Sequence, residues 1–94
     1  MQLHQINQLA YSSDLESLWQ DSLQAGDSLL LIEDGILRTN NINDLRTLIE
    51  SKKVSLYYLQ SDADAYGLSP TIGTALSDSE WVDITLSAQS NISW

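Results

Sequence analysis

Cysteine is absent from these 94 residues. Without a thiol there is no disulfide framework, no thiolate metal site and no cysteine nucleophile. Basic side chains are almost as scarce. Arg38, Arg46, Lys52 and Lys53 stand against 13 acidic residues, for a formal net charge of −9. Nucleic-acid binding draws on lysines and arginines that displace counterions, and four scattered cations make no phosphate track, so no direct nucleic-acid partner is expected. The acidic excess suits solubility and attraction to a basic partner. No apolar run approaches the roughly 20 residues that span a bilayer. The opening Met1-Gln2-Leu3-His4-Gln5 has neither the basic stretch nor the apolar run of a signal peptide, so a cytoplasmic protein without membrane contact is expected.

Gly26, Gly35, Gly67 and Gly73 form neither G-x-G-x-x-G nor G-x-x-x-x-G-K-[ST], which removes the usual phosphate cradles. At this length the chain is expected to be one domain, residues 1–94. A domain of this size buries only roughly 60–65% of the surface that its unfolded chain exposes, so partner surface often completes it.

What is present centres on Gly26-Asp27-Ser28-Leu29-Leu30-Leu31-Ile32-Glu33-Asp34-Gly35. Leu29–Ile32 is apolar without alternation, which predicts a central strand covered on both faces. Before it, a short strand is expected near Leu3. Ser13-Asp14-Leu15-Glu16 fits a capping box. Leu15, Leu18, Trp19 and Leu23 follow at helical spacing, and Gly26 offers a left-handed stop, predicting a helix from about Asp14 to Ala25. Asn40-Asn41 leads to a second helix with Ile42, Leu45, Leu48 and Ile49 on its stripe and Lys52-Lys53 at its end. Val54–Leu59 is β-branched and aromatic and reads as a strand. Ser61 is placed to cap a short helix through Tyr66, closed by Gly67, with Pro70 barring its continuation. Ile72–Leu76 reads as a short strand. Ser77-Asp78-Ser79-Glu80 is a second capping box, and Trp81, Val82, Thr85 and Leu86 then fit a helix, although Val82, Ile84 and Leu86 also alternate. Ile92 and Trp94 close the chain. Strands alternating with helices predict an α/β fold, a small three-layer sandwich with a mostly parallel sheet and right-handed crossovers.

Glu33 and Asp34 fall beyond the carboxyl end of a strand, where open α/β sheets place ligands. Two carboxylates there suit a divalent metal or acid–base work. The plainer alternative has Asp34 bonding the turn made with Gly35 while Glu33 faces solvent or a partner. No second acidic pair and no lysine is identifiable beside them, which favours that alternative. His4, the one histidine, has no assignable nucleophile or orienting carboxylate and is expected to pack at the start of the first strand. Trp19 belongs to the buried stripe of the first helix. Trp81 and Trp94 suit an interface or the core about equally. No catalytic residue, cofactor or metal is assigned.

The Gly26–Gly35 run resembles the central motif of the TusB/DsrH family of sulfur-relay proteins. Leu59 through Asp62 and Asp64 to Gly67-Leu68 is similar to that family's "L…D…GL" segment, and Trp81-Val82, Leu86 and Ile92-Ser93-Trp94 to its ending; Leu3-His4 resembles its opening. The resemblance covers essentially the whole chain in order. It implies a DsrE/DsrF/DsrH-like fold and a hetero-oligomer with TusC-like and TusD-like subunits, passing persulfide sulfur toward 2-thiouridine at the tRNA wobble position. It implies, too, that the persulfide-bearing cysteine sits on the TusD-like subunit. DsrH-type members carry a cysteine near the position of Leu18 or Trp19; this chain has none, which favours a TusB-like member. It also departs at Ser87-Ala88-Gln89, where a basic or histidine-containing stretch is usual. The expected role is a non-catalytic accessory subunit, with Glu33, Asp34, Gly35, Trp81 and Trp94 as turn or interface residues. The rival is a stand-alone small α/β domain that binds a divalent metal through Glu33 and Asp34.

Overall fold

A computed structural model describes residues 1–94. In chain order it contains β1 (Gln2–Ile6), α1 (Ser13–Ser22), β2 (Ser28–Leu31), a 3-10 segment (Glu33–Asn40), α2 (Ile42–Lys52), β3 (Ser55–Leu59), α3 (Gln60–Ala65), β4 (Thr74–Leu76), α4 (Asp78–Ser87) and β5 (Ser90–Ser93). The sheet order is β4-β3-β2-β1-β5, and every neighbouring pair is parallel.

The aliphatic run lies at the centre of this sheet. All four residues of β2 are buried, because helices cover it from both sides. Side chains alternate across the pleat. Ile6, Leu29, Leu31, Leu56 and Tyr58 face one way and pack with Trp19 and Leu23 of α1, Ile36 of the 3-10 segment, Leu45 of α2 and Ala63 of α3. Leu3, Leu30, Leu59 and Leu76 face the other way, against Trp81, Ile84 and Ala88 at α4. The steps from β1 to β4 all run in one direction along the sheet, and right-handed crossovers put their helices on one face. The return from β4 to β5 reverses direction and puts α4 alone on the other. The result is a three-layer sandwich with one thin layer.

Local chemistry moves several of the expected boundaries. The cap of α1 is Ser12, whose hydroxyl accepts from the Leu15 N–H; Ser13 is already helical. Glu16 does not close a box with Ser13, because its carboxylate accepts from the Tyr11 N–H at 2.8 Å and from Arg38. The helix stops at Ser22, where Leu23 turns extended (ψ 133°) and is buried. Gly26 does adopt φ +88°, but in the turn into β2 rather than at the helix end. α3 begins at Gln60 straight from β3, and Ser61 bonds Asp78 rather than the helix terminus. Two elements have no counterpart in the expectations above: the 3-10 segment, and β5, which adds a fifth strand beside β1.

The second capping box forms as read. The Ser77 hydroxyl accepts from the Glu80 N–H at 3.1 Å, and Glu80 accepts from the Ser77 N–H at 2.9 Å. These bonds from Ser77 hold the Glu80 carboxyl below its ordinary value. Ser77→Ala is expected to lower Tm by roughly 4–8 °C, the usual consequence of losing an N-cap in a small domain. Thermal melts by circular dichroism check this; an unchanged Tm would mean that α4 is held by packing alone.

Candidate functional site

Three places in the fold concentrate polar or exposed apolar groups. The first is the carboxyl edge of β2 and β3. Glu33 leaves β2 at φ +50°, a left-handed conformation, and its backbone N–H donates to the Asp62 carboxylate at 2.7 Å. Asp34 accepts a hydrogen bond from the Tyr66 hydroxyl. It therefore anchors the end of α3 rather than its own turn with Gly35. Gly35 is buried against the carbonyl of Ile6. The Glu33 and Asp34 side chains are exposed, and no group of three or more His, Cys, Asp or Glu side chains converges there or elsewhere into a metal-holding arrangement.

The second lies where the strand order reverses, between β1 and β5, the position at which doubly wound sheets form a ligand crevice. Here the chain fills it. The Tyr11 hydroxyl donates to the Trp94 carbonyl at 2.8 Å and lies within bonding distance of the Asn7 side chain and N–H. The Trp94 N–H donates to the Gln5 carbonyl at 3.0 Å. Beneath it, His4 is fully buried, its Nε2 3.0 Å from Asp27 and its Nδ1 3.2 Å from the Trp94 indole N–H. Because Nδ1 accepts, the ring proton sits on Nε2 and points at the carboxylate. Burial alone would raise the Asp27 pKa. Hydrogen bonds from His4 and from the backbone N–H groups of Gln2 and Gln24 outweigh that and hold it below the ordinary value.

Beside Tyr11, Arg38 packs its guanidinium over the Tyr11 and Trp19 rings and pairs with Glu16 at 2.5 Å. Burial would again raise the Glu16 carboxyl. The Arg38 bonds, the Tyr11 N–H, the Arg38 charge and the nearby Trp19 indole lower it below the usual range. The Trp19 N–H itself is buried and makes no hydrogen bond of ordinary geometry. Glu16, Trp19 and Arg38 line part of a groove of about 850 Å³ between α1 and α2.

A pH prediction follows from the two carboxylates. A group whose pKa is lowered by folding stabilises the folded state above its unfolded pKa, about 4 for Asp and Glu, and loses that contribution as pH falls through its folded value. Unfolding stability is therefore expected to drop as pH falls below about 4, and Glu16→Gln or Asp27→Asn is expected to flatten that slope. Urea melts across this interval measure it.

The third place is α4. Trp81, Ile84 and Ala88 turn inward. Val82 and Leu86 sit about 100–140° round the helix axis and are 53% and 79% exposed. This corrects the expected stripe of Trp81, Val82, Thr85 and Leu86: the inward positions are the i, i+3, i+7 set, and two aliphatics are left over on the flank. Trp81 and Trp94 are both half-buried and pack largely within the domain. The sequence signal for the flank was the surplus itself, since apolar residues at 81, 82, 84 and 86 are more than one buried stripe holds. No signal pointed to Asp27 as the partner of His4, because the pairing spans 23 residues and two strands.

The family model for DsrH-like proteins matches residues 10–91. Over 95 aligned positions the chain is 30% identical to a protein named TusB from Pectobacterium parmentieri, with 98% of this chain and 99% of that one covered. Proteins named TusB from Pectobacterium atrosepticum and Yersinia pestis are each 28% identical over the same shares.

Proposed function

The chain belongs to the DsrH-like family, and from that premise we propose that it is a non-catalytic accessory subunit of a cytoplasmic sulfur-relay complex. Its partners in this reading are TusC-like and TusD-like subunits, and the complex passes persulfide sulfur toward 2-thiolation of the tRNA wobble uridine. The observation that carries the proposal is similarity over almost the full length of proteins named TusB.

The residues support a role in assembly. No thiol is available to hold sulfur. The crevice at the strand-order reversal is occupied by Tyr11 and Trp94. The net charge of −9 disfavours direct tRNA contact, so in this proposal the tRNA is handled by other components. Val82 and Leu86 form an aliphatic flank on the one helix covering the second sheet face. In the proposal this flank, with Trp81 behind it, docks on a neighbouring subunit, and the acidic carboxyl edge at Glu33 and Asp34 borders the contact. No helix is long and apolar enough to cross a membrane.

Deleting the gene and digesting total tRNA to nucleosides tests the pathway. The expected result is loss of most wobble 2-thiouridine, restored by the wild-type chain. Unchanged thiolation would refute the assignment.

A further inference from the structure

The His4 cluster has a property that an accessory role does not require. Its imidazole, fully buried, is shared between two partners of opposite demand. On Nε2 is the Asp27 carboxylate at 3.0 Å, which accepts; on Nδ1 is the Trp94 indole N–H at 3.2 Å, which donates. The two rings are nearly parallel, 5° apart with centroids 6.2 Å apart, an arrangement that aims the indole N–H at the imidazole edge. Only the neutral ring satisfies both. A protonated ring carries hydrogen on each nitrogen, so Nδ1–H would face the indole N–H donor to donor.

We propose that His4 is a proton-operated latch: neutral, it holds Trp94 and β5 against β1; protonated, it releases them.

The energetic asymmetry lies in what each partner loses. Asp27 also accepts from the backbone N–H groups of Gln2 and Gln24, is ionised through the neutral range, and meets the imidazolium as a direct counter-charge. A buried histidine can therefore take up a proton here without leaving a charge unpaired. Trp94 gains nothing in exchange. Its segment is a short edge strand: β5 has four residues, with Asn91 and Ser93 exposed and Ile92 half-buried. Trp94 is its apolar anchor in the core, helped by one backbone bond to Gln5 and one from the Tyr11 hydroxyl. No other ionisable group bonds either ring. On the α1 side, Glu16 and Arg38 are paired with each other, and the Met1 amine bonds Gln89 near the opposite end of β5. Release uncovers the outer edge of β1, whose unpaired backbone groups are the kind that a further strand adds to.

The test follows the ¹⁵N-labelled protein by NMR from pH 8 to pH 5, the interval in which histidine is the side chain that ordinarily changes charge. The Trp94 indole resonance is identified with Trp94→Phe. The expected result is that this resonance moves to the free-indole position along the same curve as the His4 ring protons. Amide exchange at Ile92–Trp94, corrected for its intrinsic pH dependence, is expected to rise at least tenfold while exchange in β2 does not. In Trp94→Phe, which keeps an aromatic anchor but no indole donor, the pH dependence of β5 exchange should vanish. The proposal is overturned if His4 titrates with the Trp94 resonance and β5 exchange unmoved, if His4 stays neutral down to pH 5, or if Trp94→Phe keeps the pH dependence.

Discussion

Gly35→Ala is expected to cost about 4 kcal/mol or more, enough to unfold much of the protein at ordinary temperature. The cause is steric. A Cβ at this position would stand 2.1 Å from the Ile6 carbonyl oxygen and 2.9 Å from the Ile6 carbonyl carbon, distances that real side chains do not show. Neither side can give way cheaply. Ile6 is the last residue of β1, and its carbonyl accepts the Ile32 N–H at 3.0 Å, the bond that ties the exit of β2 to its neighbour. Moving it breaks that bond and leaves buried polar groups unpaired. Gly26→Ala is the control, because it tests conformation without crowding. Gly26 has φ +88° but open space where a Cβ would go, so its replacement should cost only the left-handed strain, about 1–2 kcal/mol. Urea unfolding of both variants measures the contrast. Equal effects would mean that the 3-10 segment does not press on β1 as described.

The paired change Val82→Glu with Leu86→Lys is expected to leave the fold intact and to weaken assembly with partner subunits at least 30-fold. Both side chains are exposed in the lone chain, so little packing is lost. The acid stands four residues before the base, a favourable i, i+4 pair, the base lies in the last turn of α4, and the net charge is unchanged. In the assembly proposed here the same positions are desolvated, and apolar centres of interfaces commonly contribute 2 kcal/mol or more. Circular dichroism reads the fold and affinity capture of co-expressed subunits reads the assembly. Capture at wild-type levels would place the contact elsewhere.

How much of this was legible before the fold was seen depends on whether the cause is local. Leu29–Ile32 announced a strand covered on both faces, and the Ser77/Glu80 box formed because its two partners are three residues apart. The parallel α/β sandwich followed from such local signals. β5 was not legible, since Ser90–Ser93 has one aliphatic residue and is a strand only through its pairing with β1. The 3-10 segment was hidden for a related reason: its inward residues, Gly35, Ile36 and Thr39, include a single aliphatic side chain, too few for an apolar stripe to show in the sequence. At α1 the expected cap was Ser13; the shift to Ser12 went with Glu16 being held by Tyr11 and by Arg38, 22 residues away. The same distance effect concealed the candidate site. Asp34 was visible as an acidic turn residue, but its tie to Tyr66 spans 32 positions, and the bond from Trp94 to His4 spans 90.

In the function proposed here, this chain works by fitting against related subunits. Native mass spectrometry of the chain co-expressed with TusC-like and TusD-like proteins tests that most directly. A discrete hetero-oligomer is expected, its mass including this chain in fixed ratio to each partner, and it is expected to collapse when the α4 flank carries the two charges. Partners that assemble fully without it, while the chain itself appears only as a free monomer, would rule out that role.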